Sequence, residues 1–380
     1  MKGFIRHLDN HKNMNPSLVE YANLIQQTNI NYSVHRVGPT ETYNDWQKKY
    51  EVLINPPIIP PNPVIKIHKD INISIQTIQD LIKIVDENPL EAEYEYNVDL
   101  KALHTIYDEL HAINNMVGLN SLKQSIVDQL LYFIQNLHQG VHGDFKHTVL
   151  VGPPGTGKTE IAQLMGQMYS KIGVLKNSVF KKATRADLIA GYLGQTALKT
   201  QKVIDGCLGG VLFIDEAYSL GSQSDTFSKE CIDTLCEALS AHKDKLMVVI
   251  AGYEAELKDG FFNMNQGLES RFLWRFTMDP YSAKELKEIF LKKVKDNDWF
   301  IDNENEIPDA WFEQRKGQFR QFGRDMENLF TYTKIAHGRR IYGKSFEYRK
   351  RISLEDLEKG YQVFLKHKGI KKTFVHDMYS

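Results

Sequence analysis

The segment Gly152-Pro153-Pro154-Gly155-Thr156-Gly157-Lys158-Thr159 has the residue types and the spacing to bind phosphate. Gly155 and Gly157 let the backbone curl until successive N–H groups face inward, which makes a concave anion site. A helix beginning near Lys158 directs the positive end of its dipole at the same point. The Lys158 ammonium is a mobile point charge able to reach the outer phosphates of a nucleoside triphosphate. The Thr159 hydroxyl is a hard oxygen ligand suited to Mg²⁺. The whole segment satisfies G-x-x-x-x-G-K-[ST]. An accidental glycine-rich turn before a helix is the competing explanation, and it does not account for the strand–loop–helix context in which the segment stands.

Val211-Leu212-Phe213-Ile214-Asp215-Glu216 sets four apolar residues before two acids. A buried strand would deliver both carboxylates to its C-terminal end, where open α/β sheets bind ligands. There Asp215 would hold Mg²⁺ through its water shell. Glu216 would polarise an attacking water, a role worth roughly 10²–10⁴-fold in rate. Capping of the next helix is the alternative use of the same acids. Together the two motifs point to hydrolysis of a nucleoside triphosphate with Mg²⁺.

Elements able to position these groups are legible around them. His147–Gly152, Gly209–Glu216 and Lys245–Gly252 are short apolar runs, rich in β-branched residues, bounded by glycine and without strict alternation. Strands of a parallel sheet covered by helices on both faces have that pattern. Glu160–Tyr169 continues the phosphate loop as a helix. After Pro280 the strand pattern stops. Ser282–Asp296, Met326–Arg340 and Ser353–His367 read as helices, which predicts an all-helical second domain of about 90 residues. Upstream, residues 1–50 are polar and weakly periodic, and Ile54–Lys66 holds five prolines, the composition of an extended linker. Ile75, Ile78, Leu81, Ile82 and Val85 in Ile73–Glu87 recur at helical spacing, and Leu100–Leu110 reads as another short helix that packs on the main body or on a partner.

The pair GPPGTGKT and VLFIDEA resembles the AAA+ ATPases. The run from Arg185 to Leu220 is similar to the CbxX/CfqX branch, which includes CbbX-type rubisco activases and stage V sporulation protein K. The similarity extends from about Asn114 to Leu365 and implies an α/β fold. A P-loop domain with a parallel sheet flanked by helices (114–280) would precede a small all-α lid (281–370). An N-terminal region and linker (1–66), a helical connector (67–113) and a tail (371–380) complete the chain. The resemblance also assigns roles. Val117 and Gly118, in Met116-Val117-Gly118-Leu119, would line the adenine pocket. Tyr192-Leu193-Gly194 matches a pore loop that grips a polypeptide, although Tyr192 is also readable as an ordinary buried tyrosine. Arg271, in Gly267-Leu268-Glu269-Ser270-Arg271-Phe272, matches the arginine finger that reaches the γ-phosphate of a neighbouring subunit, with Arg275 as the second candidate. Arg324, in Gly323-Arg324-Asp325-Met326-Glu327-Asn328, matches the second sensor. Where many AAA+ proteins carry an Asn sensor, this chain continues Tyr253-Glu254. The implied activity is ATP-driven remodelling or threading of a protein client through a homo-oligomeric, hexameric ring. A nucleic-acid-directed motor or loader and a nucleotide-gated scaffold of low turnover are the rival readings.

Composition bounds these readings. Lys plus Arg is 47 against Asp plus Glu 48, a net charge of −1, which argues against a general nucleic-acid coat. Residues 334–351 form a local exception, with seven Lys/Arg, one acid and three aromatics interleaved. Such a run fits a nucleic-acid footprint, a solvated helix end or an intersubunit face. Three cysteines are too few for a disulfide framework and fit a reducing compartment. The N-terminus has no secretory core, and Leu246–Gly252, among the longest apolar runs, is far short of the roughly 20 residues a membrane span needs. A soluble, cytoplasmic protein without a membrane partner is expected.

Overall fold

The computed structural model describes residues 66–139, 143–192, 194–221, 225–301 and 307–369. Apart from Lys66, the Pro-rich linker lies outside them. Strand β1 (Ile67–Lys69) pairs in parallel with β2 (Tyr94–Tyr96), and helix α1 (Ile78–Glu87) runs between them. The Thr77 hydroxyl accepts from the Asp80 N–H while the Asp80 carboxylate accepts from the Thr77 N–H. This reciprocal cap starts the helix at Ile78, so Ile75 stands before it. Two helices, α2 (Leu100–Thr105) and α3 (Tyr107–Asn114), replace the single one expected over Leu100–Leu110. The break is at Ile106, whose φ of −105° and ψ of 14° leave the helical region.

After α4 (Asn120–Ile134) the chain alternates strand and helix: β3 (Thr148–Val151), α5 (Lys158–Lys171), β4 (Phe180–Ala183), α6 (Arg185–Leu188), α7 (Thr196–Asp205), β5 (Val211–Ile214), α8 (Thr226–Ala241), β6 (Met247–Gly252), α9 (Glu254–Gly260) and β7 (Trp274–Thr277). The five strands β3–β7 form one parallel sheet in the order β4-β5-β6-β3-β7. Its inner strands alternate between two cores. Val211, Phe213, Met247 and Val249 face a cluster shared with α1–α5 and the C-terminal helices. Leu212, Ile214, Val248 and Ile250 face a cluster shared with α6–α9. Burial on both faces explains why these segments are apolar without alternation. The edge strands β4 and β7 each carry two exposed residues, and their mixed sequences, FKKA and WRFT, have no such run.

The C-terminal region contains α10 (Ala283–Asp296), β8 (Phe300–Ile301), α11 (Asp309–Glu313), α12 (Phe322–Ile341), β9 (Arg351–Ile352) and α13 (Leu354–His367). The expectation that strands end at Pro280 is corrected by the short parallel ladder of β8 and β9. Helices α12 and α13 are pinned by a buried group in which the Asp356 carboxylate lies 3.0 Å from His337 Nδ1 and 2.8 Å from Arg340 Nη2. Leu100, Leu103, Ile106, Leu110 and Ile113 join the same core as the sheet, so α2 and α3 pack on the main body. Among the described residues, no helix is long and apolar enough to cross a membrane.

Candidate functional site

The phosphate loop leaves β3 and turns at Gly155 (φ +75°) and Gly157 (φ +98°) before α5 begins at Lys158. Both angles lie where only glycine is unstrained. The loop is braced from within and from outside. The Thr156 hydroxyl donates to the Pro153 carbonyl (2.9 Å), and the Tyr281 hydroxyl donates to the Thr156 carbonyl (3.1 Å). Lys158 Nζ donates to the Gly152 and Pro153 carbonyls at 2.8 Å each. Burial holds its pKa below the ordinary lysine value, while the Asp215 and Glu216 carboxylates work against that shift.

All four residues of β5 are buried, and the strand delivers Asp215 and Glu216 to the rim of this loop. Glu216 has φ 51° and ψ 46°, a left-handed conformation costly for a side chain with a Cβ and characteristic of functional sites. Asp215 Oδ2 is 2.6 Å from Lys182 Nζ on the adjacent edge strand β4, a partner that nothing in the sequence pattern signals. Lys158, Thr159, Asp215, Glu216, Tyr253 and Arg324 line one cleft of about 280 Å³. The hard oxygens of Thr159 and Asp215 beside a lysine and a left-handed loop fit a triphosphate with Mg²⁺. Of the two residues standing where an Asn sensor was sought, Tyr253 faces this cleft. Glu254 lines a separate cavity of about 190 Å³ with Arg275.

A second cleft, of about 370 Å³, adjoins the first and is lined by Met116, Val117, Gly157, Tyr281, Lys292 and Arg324, among others. Arg324 therefore borders both spaces. Gly118 and Leu119 are consecutive left-handed residues (φ +63° and 57°), which reverses the chain directly after Val117. A Cβ on Gly118 would overlap the Glu285 carboxylate. The start of α12 touches the phosphate loop itself, for the Gly323 N–H donates to the Gly155 carbonyl at 2.9 Å. Lys123 Nζ donates to the carbonyls of Asn114 (2.9 Å) and Met116 (2.6 Å), and Lys292 Nζ donates to that of Asn115 (2.8 Å). Burial first, and the Lys292 charge second, hold the Lys123 pKa below its usual value. The sequence reading passed over both lysines.

The remaining candidates lie elsewhere. Arg271 lines neither cleft, and its Nε donates to the Ser240 hydroxyl at 2.7 Å while Nη1 donates to the Gly267 carbonyl. Arg275 pairs with Glu269 (3.1 Å) and covers the Phe262 ring. Tyr192 is 75% exposed, which rules out the buried-tyrosine reading. Gly194 (φ +75°) has open space around it. Leu193 lies outside the described residues. In the basic run, Arg340 is engaged by the buried Asp356, whereas Tyr342 and Phe346 are exposed. Cys207, Cys231 and Cys236 are buried and unpaired.

Known proteins place this arrangement in a family. Residues 148–272 match the model described as the ATPase family associated with various cellular activities (AAA). A CfxQ-like protein of Acanthamoeba polyphaga mimivirus is 38% identical over 272 residues, 70% of this chain and 67% of the relative. Stage V sporulation protein K of Bacillus subtilis is 36% identical over 227 residues, 57% of this chain and 70% of the relative. The ESX-1 secretion system protein EccA1 of Mycobacterium tuberculosis is 45% identical over 148 residues, 38% of this chain and only 26% of that longer protein. With the phosphate loop, the paired acids and the five-stranded parallel sheet already in place, these likenesses are those of kin: the chain belongs to the AAA ATPase family, in the branch of the CfxQ-like proteins and stage V sporulation protein K, and it is an ATP hydrolase.

Proposed function

We propose that the protein uses Mg·ATP hydrolysis to remodel a protein client, threading it through a homo-oligomeric ring that we take to be a hexamer. In this reading the N–H groups of Gly155, Thr156 and Gly157 cradle the phosphates, Gly152, Pro153 and Pro154 shape the loop around them, and Lys158 leaves its two loop carbonyls to neutralise them. Thr159 and Asp215 would hold the metal, which lends charge neutralisation to the triphosphate. Glu216 polarises the attacking water, Arg324 senses the γ-phosphate from α12, and Val117 with Gly118 frames the base. Arg271 acts on the neighbouring subunit, a role its place outside its own clefts supports. Tyr192, with Leu193 and Gly194, grips the client.

The observation that carries the hydrolytic part is the convergence of Lys158, Thr159, Asp215, Glu216 and Arg324 on one cleft. The exposure of Tyr192 supports the gripping role, because an aromatic ring in water beside an unhindered glycine is free to press on an extended chain. The client is to be captured on Glu216→Gln held in ATP. That variant should bind ATP and lose hydrolysis by roughly 10²–10⁴-fold. Against the captured client, Tyr192→Ala should keep ATPase activity and lose remodelling. Unchanged remodelling by Tyr192→Ala would refute threading and leave hydrolysis standing. Stimulation by single-stranded nucleic acid, steeply reduced by salt, would move the reading to the exposed Tyr342 and Phe346 face instead.

A further inference from the structure

We infer that Lys123 and Lys292 form a clamp on the strand of chain leading to Val117, and that this clamp determines which nucleobase the site accepts. The inference rests on the proposed role of Val117 beside the base. Helix α3 ends at Asn114, so its last carbonyls have no partner within the helix and carry the negative end of its dipole. Three successive carbonyls there, Asn114, Asn115 and Met116, are each taken by a lysine ammonium, at 2.9, 2.8 and 2.6 Å. The two lysines come from different elements. Lys123 stands in the first turn of α4, and Lys292 stands on α10 in the C-terminal region. Just beyond the clamp the left-handed pair Gly118 and Leu119 turns the chain back, with the Glu285 carboxylate against Gly118. The segment 114–119 is therefore fixed at both ends, and Met116 and Val117 between them border the cleft.

A purine is distinguished at its six position by whether it donates or accepts. Adenine offers an amino donor beside an acceptor nitrogen, and guanine offers the reverse. A backbone edge held in one position matches one of these patterns and leaves buried polar groups unpaired with the other. An edge free to shift accommodates both. The ammonium bonds are charge-assisted, and the two of Lys123 are partly buried, which makes them suited to this holding role. Lys123 and Lys292 are positioning residues here, acting on the base through the main chain.

The test is calorimetric titration of the full-length protein with ADP and with GDP, without any turnover. The wild type should prefer ADP by at least about tenfold, the penalty of one mispaired buried group. Lys123→Met, which keeps the side-chain length and removes the charge, should weaken ADP by about tenfold, the size of a charge-assisted hydrogen bond, and leave GDP within about twofold. Lys292→Met, which removes one bond rather than two, should lower the ratio by about threefold. Lys123→Arg should restore most of the preference. Equal losses for ADP and GDP in Lys123→Met, or no loss, would overturn the clamp as a selector. A wild type indifferent to the base would refute Val117's role and the clamp with it. Lys158→Met calibrates the measurement by weakening both nucleotides alike.

Discussion

Gly155→Ala should detach α12 from the phosphate loop, and Gly157→Ala should not. Both glycines are left-handed (φ +75° and +98°), so alanine costs each of them roughly 1–2 kcal/mol of backbone strain. Their surroundings differ. A Cβ on Gly157 would approach the end of the Met116 side chain at 3.1 Å, and a thioether methyl turns aside easily. A Cβ on Gly155 would stand 2.9 Å from the Gln321 carbonyl carbon and 3.2 Å from the Arg324 amide nitrogen, closer still to the Gln321 oxygen, and all of these are main chain. The start of α12 would have to withdraw by on the order of 1 Å to restore an ordinary C···O separation. The Gly323 N–H to Gly155 carbonyl bond, now 2.9 Å, would then pass beyond hydrogen-bonding range, a further loss of about 1 kcal/mol. Amide hydrogen exchange of nucleotide-free protein reads this directly. Protection of the Gly323 amide should fall at least about fivefold in Gly155→Ala relative to Gly157→Ala, the equivalent of that bond. Equal exchange at Gly323 in the two variants would refute the claim that loop and helix are joined at this point.

Two other expectations are independent of it. His147 is fully buried, its Nδ1 accepting from the Val248 N–H and its Nε2–H donating to the Leu239 carbonyl, and burial lowers its pKa from 6.5 to about 4. The unfolded chain therefore takes up a proton below pH 6.5 that the folded chain refuses until pH 4, so stability present above 6.5 falls by roughly 3 kcal/mol across that window. Urea unfolding at pH 7 and 4.5 should show a larger acid loss in wild type than in His147→Gln; equal losses would contradict the assignment. Arg271→Ala should lower ATPase by roughly 10³-fold or more with nucleotide affinity nearly unchanged. Mixing it with Lys158→Met should recover activity, because an Arg271→Ala subunit keeps its own site intact and receives Arg271 from a Lys158→Met neighbour, and no recovery would mean that Arg271 does not act between subunits.

The legible parts of this protein were those whose chemistry is local. Gly155, Gly157, Lys158 and Thr159 announce a phosphate loop because a tight anion-binding turn has few alternative sequences. The strands at β3, β5 and β6 were visible because burial on both faces makes them wholly apolar. The edge strands β4 and β7 were not, since their exposed positions admit Lys181, Lys182 and Arg275 and break the run. Lys182, Lys123 and Lys292 escaped for a related reason. Each acts on a group brought near only by the fold: Asp215 from a neighbouring strand, and the 114–116 carbonyls from the end of another helix. A lysine on an amphipathic helix reads as solvated unless its tertiary partner is known. Ile106 likewise carries no helix-breaking signal, and the division of α2 from α3 there comes from packing against the common core.

The contact between Gly155 and Gly323 bears on how events at a phosphate become movement. Helix α12 is 20 residues long, about 30 Å, and its first turn bonds to the loop. Asp325 in that first turn accepts from the Gln321 N–H and pairs at 2.6 Å with Lys368, just past the end of α13. At the other end His337 and Arg340 hold Asp356 of α13. The two helices are thus tied together at both ends and would tilt as one body. A tilt of about 5° at Gly323 would carry the far end of α12 by roughly 2–3 Å, given the helix length. A sub-ångström rearrangement at the loop is small beside thermal motion, whereas a displacement of that size alters which side chains meet across an interface. The residues that would be displaced furthest are Tyr342 and Phe346, 93% and 73% exposed at the distal end. A face that moves most and is largely open to solvent, with the Phe346 ring under the Arg349 guanidinium, is suited to transmit the nucleotide state to whatever binds there.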